Sequence, residues 1–452
     1  MPPRSSGVAD RGVPLVVGPG FCHIARTVKL VATGVGILLA LLGLRLLVPS
    51  ALEGGDTPSG RRSPEPIAAP ALSPSPPPVL PTASGSGHRP VLRPSLQPGG
   101  EIFDQPTVLD FHLQLDASNL AALENNPREY TPVAVTVNGV EFPRVAIKLK
   151  GAAGSFRPVD DRPALTVAFH RDAPGRRLFG LRRLHLNNSV QDPTYLNEYV
   201  GSELFRAAGV PTPRVAWATV RLNKRDLGLY VLKEAFEREF LRAFFPYPDG
   251  NLYEGGFVRD IDRDLERESG LGPADRSDLR ALADAAQERD AARRWERLTP
   301  LLDVERFATY AALSVMLADW DGYPLNRNNY RVYFDPADGR AVFLPHGMDQ
   351  LLQRTYLDLD PGWAGQVAWA VFSTDPGQAL YEARCREVFQ QVFTFGRVSN
   401  LVTRAAAALT PVRPDMPGIA SSYLDQVTWR LRTLRRDPIL KPSPPTEARA
   451  GR

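Results

Sequence analysis

The densest run of side chains able to do chemistry is Asp319-Trp320-Asp321-Gly322-Tyr323-Pro324-Leu325-Asn326-Arg327-Asn328-Asn329-Tyr330, at the end of an apolar stretch. Asp321 and Asn326 stand in D-x4-N spacing. That is the spacing of a phosphoryl-transfer loop, in which the aspartate orients or takes a hydroxyl proton and the asparagine binds magnesium. About twenty residues on, Leu344-Pro345-His346-Gly347-Met348-Asp349 places an acid just after a strand-like run, a position from which it could supply a second magnesium ligand. Aspartate and asparagine oxygens are hard ligands suited to Mg²⁺ (or Mn²⁺), which keeps water and substrate phosphates as its other partners. The competing reading is that Asp319 ends a helix and that Asn328 and Asn329 form turns.

The elements that must position these groups are legible in outline. LDFHLQLD is strand-like, and VAVTVNGVEFPRVAIKLKG is a hairpin about Asn138-Gly139. A glycine-containing loop, GAAGSF, leads to the strand ALTVAFH, and RRLHLNN is another strand. DPTYLNEYVGSELFRAAG has helical spacing, opening at Asp192-Pro193 and ending in Gly209. PRVAWATVRLN and LGLYVLKEAF are two strands about Asn223 to Asp226, and residues 260–297 are charged and helix-prone. DVERFATYAALSVMLADW is an amphipathic helix, and NYRVYFDPADGRAVFLPH is a hairpin about Asp338-Gly339. The expected class is α+β, with a strand-rich lobe, a crossover through LKEAF and a helical lobe, the order of a bilobal protein-kinase-like fold.

The ordered series IKLKGAAGSF, ALTVAF, LHLNNSVQDPTYLNEYVGSELFRAAGVPTPR, VRLNKRDLGLYVLKEAF, GNLYEG, LADWDGYPLNRNNYRVYFD and FLPHGMDQ, between about 130 and 355, resembles the CotH kinases, a family of atypical protein kinases named after a spore-coat protein. The resemblance implies a kinase-like fold that binds ATP and metal and phosphorylates Ser or Thr of extracytoplasmic proteins. Carried over, it implies Asp321 as catalytic base, with Asp319 as rival, and Asn326 and Asp349 as magnesium ligands. Glu234 falls at the crossover, where adenine would sit. Lys148 and Lys150 flank the glycine-containing loop within reach of phosphates, and Glu198 is placed to pair with a phosphate-binding cation. Arg162 stands where relatives usually have lysine, and the residues before Asp349 depart from the usual metal motif. GAAGSF is also short of G-x-G-x-x-G. These departures keep open an alternative, a catalytically inactive scaffold for cell-surface or coat assembly.

The rest of the 452 residues bounds the biology. Net charge is +4 and spread along the chain, which argues against nucleic acid as a partner. Two cysteines exclude a disulfide scaffold. G-x-S-x-G, G-x-x-x-x-G-K-[ST] and H-E-x-x-H are missing, and of six histidines only His346, near Asp349, is a candidate for lining a site. Residues 30–48 form an apolar run of about 19 residues behind Arg26 and Lys29, long enough for a transmembrane anchor or the core of a cleaved signal peptide. Thirteen of the 43 prolines fall in 49–100, a Pro/Ser-rich linker expected to be disordered. The expected organisation is a cytoplasmic N-terminus (1–29), the anchor (30–48), the linker (49–100), a kinase-like domain (101–437) held outside the cytoplasm, and a disordered tail (438–452). The expected partners are a nucleotide, a Ser/Thr-bearing protein and, through the anchor, a membrane.

Overall fold

The computed structural model describes residues 97–441. The expectations for the anchor, for the linker up to residue 96 and for the tail beyond Lys441 lie outside the described residues. No helix among the described residues is long and apolar enough to cross a membrane.

Seven strands close into a barrel in the order β1 (Val108–Gln114), β2 (Thr131–Val137), β3 (Val140–Lys150), β4 (Ala164–Ala168), β5 (Arg183–Asn187), β7 (Arg225–Glu234) and β6 (Val215–Leu222). Alternation drives the closure, because successive strand side chains point to opposite faces. Leu109, Phe111 and Leu113 of β1, Val133, Val135 and Val137 of β2, and Ile147 and Leu149 of β3 fill one core with Leu165, Val167, Leu184 and Leu186. The β2–β3 turn is made by Asn138 and Gly139 at φ 46° and 81°, both left-handed, as a two-residue hairpin requires. The last seam, between β1 and β6, is parallel, with Val108 opposite Trp217. Local sequence does not announce this seam, which joins strands about a hundred residues apart.

Helix α1 (Asn197–Ala207) lies on the outside of the barrel. Its Tyr199 meets Trp217 of β6 at 4.9 Å between ring centres, and the Trp217 indole donates to the Tyr195 carbonyl at 2.9 Å. The helix starts later than the Asp192-Pro193 signal predicts. The Asp192 carboxylate accepts from Thr194 N and Asn197 N at 3.0 Å each, and Tyr195 adopts φ 61°, so residues 192–196 form a turn instead.

Beyond the barrel lies a four-stranded sheet in the order β11 (Ala341–Pro345), β10 (Tyr330–Phe334), β8 (Leu252–Glu254) and β9 (Glu266–Ser269). The charged stretch 260–297 is only partly helical, over Ser277–Ala286 and Ala291–Leu298. Its Glu266–Ser269 portion is the sheet's edge strand, where polar side chains are tolerated because they meet water. The expected amphipathic helix is α2 (Val304–Met316), which is buried over ten consecutive positions from Phe307. Helices follow over Gln366–Phe372, Asp375–Gln391 and Phe395–Leu409, and then α3 (Met416–Leu434).

One contact ties the end of the chain to its centre. Arg430 of α3 has no exposed surface, and its guanidinium donates to four carbonyls: Met316 (2.9 Å), Val315 (2.7 Å), Thr355 (2.8 Å) and Leu357 (2.6 Å). Two of these lie in the last turn of α2, just before Asp319, where carbonyls run out of intrahelical donors; that of Val315 also accepts from Ala318 N at 3.0 Å. Burial pushes its pKa down to about 10. Arg430→Ala is expected to strand the Met316, Thr355 and Leu357 carbonyls away from water and to cost about 3–5 kcal/mol in urea unfolding. A loss under about 1 kcal/mol would contradict this assignment.

Candidate active site

The alternation that sends Ile147 and Leu149 inward sends Lys148 and Lys150 outward. Pairing aligns them with neighbours on the same outer face. Lys148 stands opposite Thr166, Thr166 opposite His185, and His185 opposite Lys233; in the next row Lys150 stands opposite Ala164 and Asn187 opposite Val231. This face turns toward the rest of the domain, so its cations are largely cut off from water. Lys233 is 5% exposed at its side chain, and its ammonium meets the Glu198 carboxylate of α1, 3% exposed, at 2.6 Å. Lys150 donates to the Asn187 amide oxygen. Desolvation, then the charge of Lys233, lowers its pKa to about 8.

Across from these cations is the loop after α2. Asp321 is held by three asparagine amides: Asn326 Nδ2 at 2.7 Å, Asn328 Nδ2 at 3.2 Å to either oxygen, and Asn329 Nδ2 at 2.9 Å. Ala318, Arg327 and Asn329 all take left-handed backbone, at φ 51°, 55° and 52°, an unfavourable concentration for non-glycine residues. Gly322 packs closely where the loop turns: a Cβ there would stand 2.4 Å from an Asp319 carboxylate oxygen and push that side chain aside. Asp319 itself is 4% exposed. Burial and the nearby charges of Asp321, Glu198 and Asp349 push its carboxyl well above the usual range.

The third wall follows β11. Gly347, at φ 63°, lets the chain pass Asn329, whose amide oxygen would be 2.5 Å from a Cβ there. Asp349 follows, and its backbone carbonyl accepts from Asn197 of α1 at 3.0 Å. Desolvation, then Glu198 and Asp192, raise its carboxyl to about 7. His346 packs against Phe236 at 6.0 Å between ring centres. Burial and the charges of Arg331, Lys233 and Lys150 hold its imidazole well below its usual pKa, hence neutral.

These walls enclose a cavity of about 370 Å³ lined by Lys150, the 151–155 loop, Glu198, Asp321, Asn328, Asn329, His346 and Asp349, with apolar Ala164 and Val231 on either side of Asn187. Arg128, also at its edge, braces the loop by donating to the Gly151 carbonyl at 2.7 Å and lying 4.8 Å over the Phe156 ring. Among the described residues, no three His, Cys, Asp or Glu side chains already converge as a metal cage. The donor set still fits a magnesium ion carried in with phosphates, which needs only one or two protein carboxylates. Asp349 and Asn328 offer the oxygens, and Glu198 Oε1 is buried with no hydrogen-bond partner.

Of the ten residues singled out from sequence, Asp321, Asp349, Lys150, Glu198 and His346 line this one cavity. Asn326 stands behind Asp321 as a buttress, its amide spent on that carboxylate, and Asp319 lies beneath the loop. Lys148 sits 5.0 Å over the Tyr130 ring, off the lining. Arg162 also lies off it, bonded to the Tyr195 hydroxyl at 2.9 Å and to the Leu229 carbonyl. Glu234 is taken up in a buried pair with Arg214, at 2.6 and 2.9 Å. Lys233 and the pair Asn328-Asn329 are the contributors that spacing missed. Lys233 could have been found by strand alternation, because it shares a parity with Val231 and faces away from Leu232.

The family model described as CotH kinase protein matches residues 147–432. The chain is similar to invasin CotH7 of Rhizopus delemar, at 22% identity over 251 residues, which is 50% of this chain and 42% of the invasin. It is also similar to inner spore coat protein H of Bacillus subtilis, at 21% identity over 184 residues, 38% of this chain and 50% of that protein. The chain thus spans about half the length of the curated relatives it matches. Among solved structures, the proinflammatory kinase CtkA of Helicobacter pylori aligns at 6% identity over 63% of this chain and 96% of that one, with a TM-score of 0.31, a likeness too slight to bear on the site.

The raised Asp349 carboxyl makes stability depend on pH. Between about pH 4 and 7 the folded protein keeps a proton that the unfolded chain has lost. This contribution is therefore present at low pH and is lost as pH rises through about 7. Asp349→Asn should gain on the wild type by about 2 kcal/mol between pH 5 and pH 8, as read by denaturant unfolding without added metal. A difference that stays constant across that range would contradict the assignment.

Proposed function

The chain belongs to the CotH kinase protein family, and from that premise we propose that it is a kinase of bilobal fold whose active site is the cavity between the barrel and the Asp321 loop. It would transfer the γ-phosphoryl group of ATP to a Ser or Thr hydroxyl of a surface or coat protein, and the apolar 30–48 segment would tether it to a membrane with this domain outside the cytoplasm. The observation that carries the reading is the meeting, in one cavity, of Asp321 and Asp349 with Lys150 and with Glu198, itself paired to Lys233. Phosphoryl transfer asks a protein mainly for positioning and charge stabilisation, and that is what this set can supply.

Each side chain then has a defined task. Lys150 places positive charge on the cavity wall where phosphate oxygens can approach it. Glu198 holds Lys233 in one orientation, so that its charge is directed without reorganisation. Asp321, oriented by three amides, accepts the proton of the incoming hydroxyl; being an acceptor at both oxygens, it can also align that hydroxyl. Asp349, with Asn328, would hold a divalent cation, which when bound neutralises phosphate charge. The loop 151–155, braced by Arg128, forms part of the cavity wall.

The test is incubation of the full-length protein with labelled ATP, Mg²⁺ or Mn²⁺ and a generic protein acceptor. Wild type should bind nucleotide and transfer label to itself or to the acceptor. Asp321→Ala and Lys233→Met should each lower transfer by about 100-fold or more. Asp321→Ala should leave nucleotide binding nearly intact. Binding without any transfer would favour the scaffold alternative, and a wild type that binds no nucleotide would sink the proposal.

A further inference from the structure

The cavity is chemically asymmetric. Its carboxylate and amide side, with Asp321, Asn328 and Asp349, suits phosphates and a cation, whereas the barrel wall presents apolar Ala164 and Val231 on either side of Asn187. His346 lines the same cavity, and its surroundings single it out. Its backbone N–H is satisfied by the Asn329 carbonyl at 3.1 Å, but neither ring nitrogen hydrogen-bonds any described residue. The ring is not loose. It rests edge-on against Phe236, at 71° between planes, and Phe236 is in turn held by Phe240 at 5.0 Å and by the Arg331 guanidinium at 4.4 Å. Phe236 follows the end of β7 by two residues, so the crossover out of the barrel fixes the ring.

A rigid, uncharged imidazole offers one donor and one acceptor. Such a pair is poorly matched to phosphates, which present acceptors only, and well matched to the edge of a nucleobase, which presents both. A flat heterocycle against Ala164 or Val231 would also bury apolar surface that phosphates cannot use. We infer that His346 is the residue that recognises the nucleobase of the bound nucleoside triphosphate by hydrogen bonding to its edge. The inference rests on the nucleotide-binding reading above and adds to it a specificity determinant separate from the phosphate-binding groups.

Full-length protein with Mg²⁺ is titrated calorimetrically with ATP and, separately, with inorganic tripolyphosphate, which shares the phosphates and lacks the base. Wild type should bind ATP about tenfold or more tighter than tripolyphosphate. His346→Ala should erase most of that advantage, weakening ATP by about tenfold for one lost hydrogen bond while leaving tripolyphosphate unchanged. His346→Gln, which keeps a donor and an acceptor, should retain ATP affinity within about threefold. Tripolyphosphate binding reports folding, so a decline of both ligands together in both variants would assign the ring a structural role and overturn the inference. Equal wild-type affinity for the two ligands, or an ATP affinity indifferent to His346→Ala, would overturn it while leaving the kinase reading standing. If wild type binds neither ligand, both fall.

Discussion

Two charges that have left water hold this site together. Glu198 and Lys233 are 3% and 5% exposed at their side chains and meet at 2.6 Å. Isolating either would cost several kcal/mol, so the pair constrains both elements that carry it. Lys233 is near the end of β7 and Glu198 is at the start of α1. Their union fixes a helix to the outer face of a barrel at one azimuth. The same helix reaches the other side of the cavity: Asn197 donates to the Asp349 carbonyl, and Gly201 packs closely against the side-chain ends of Leu351 and Met348, 2.8 and 3.0 Å from a would-be Cβ. Helix α1 is thus the splint between the cations of the barrel and the carboxylate that follows β11.

The second constraint is the loop of Asp321. A Cβ at Gly322 would crowd the Asp319 carboxylate, and three residues in left-handed conformation are unfavourable locally and must be offset by other contacts. Several contacts do so. The three asparagine amides satisfy the carboxylate, Arg430 closes the carbonyl end of α2, and the Tyr323 hydroxyl donates to Asp260 at 2.9 Å, which also accepts from Gln366 N. Residues near position 430 therefore bear on a loop more than a hundred residues earlier. The family match running to residue 432 is consistent with a site that depends on the last helix.

Some titrations follow from this enclosure. Lys150 falls to about 8 while Asp349 rises to about 7, each displaced toward its neutral form by loss of water. Phosphates and a cation would restore both charges.

Much of this was readable from the chain alone. Strand alternation, the Asn138-Gly139 and Asp338-Gly339 turns and the apolar face of α2 each state their own structure, because the physics involved spans only a few residues. The spacing of Asp321, Glu198, Lys150 and Asp349, together with the resemblance to the CotH kinases, was enough to nominate four residues that share one cavity. What only the tertiary structure decided is which candidates face it. Asn326, Asp319, Arg162 and Lys148 have the right chemistry, but they turn to other partners. Glu234 sits one position from Lys233 and so on the opposite face of β7, bonded to Arg214. The parallel β1–β6 seam, the grip of Arg430 on α2 and the Glu198–Lys233 pair join residues far apart in sequence. Such pairings depend on which surfaces lose their water together, and local sequence carries no record of that.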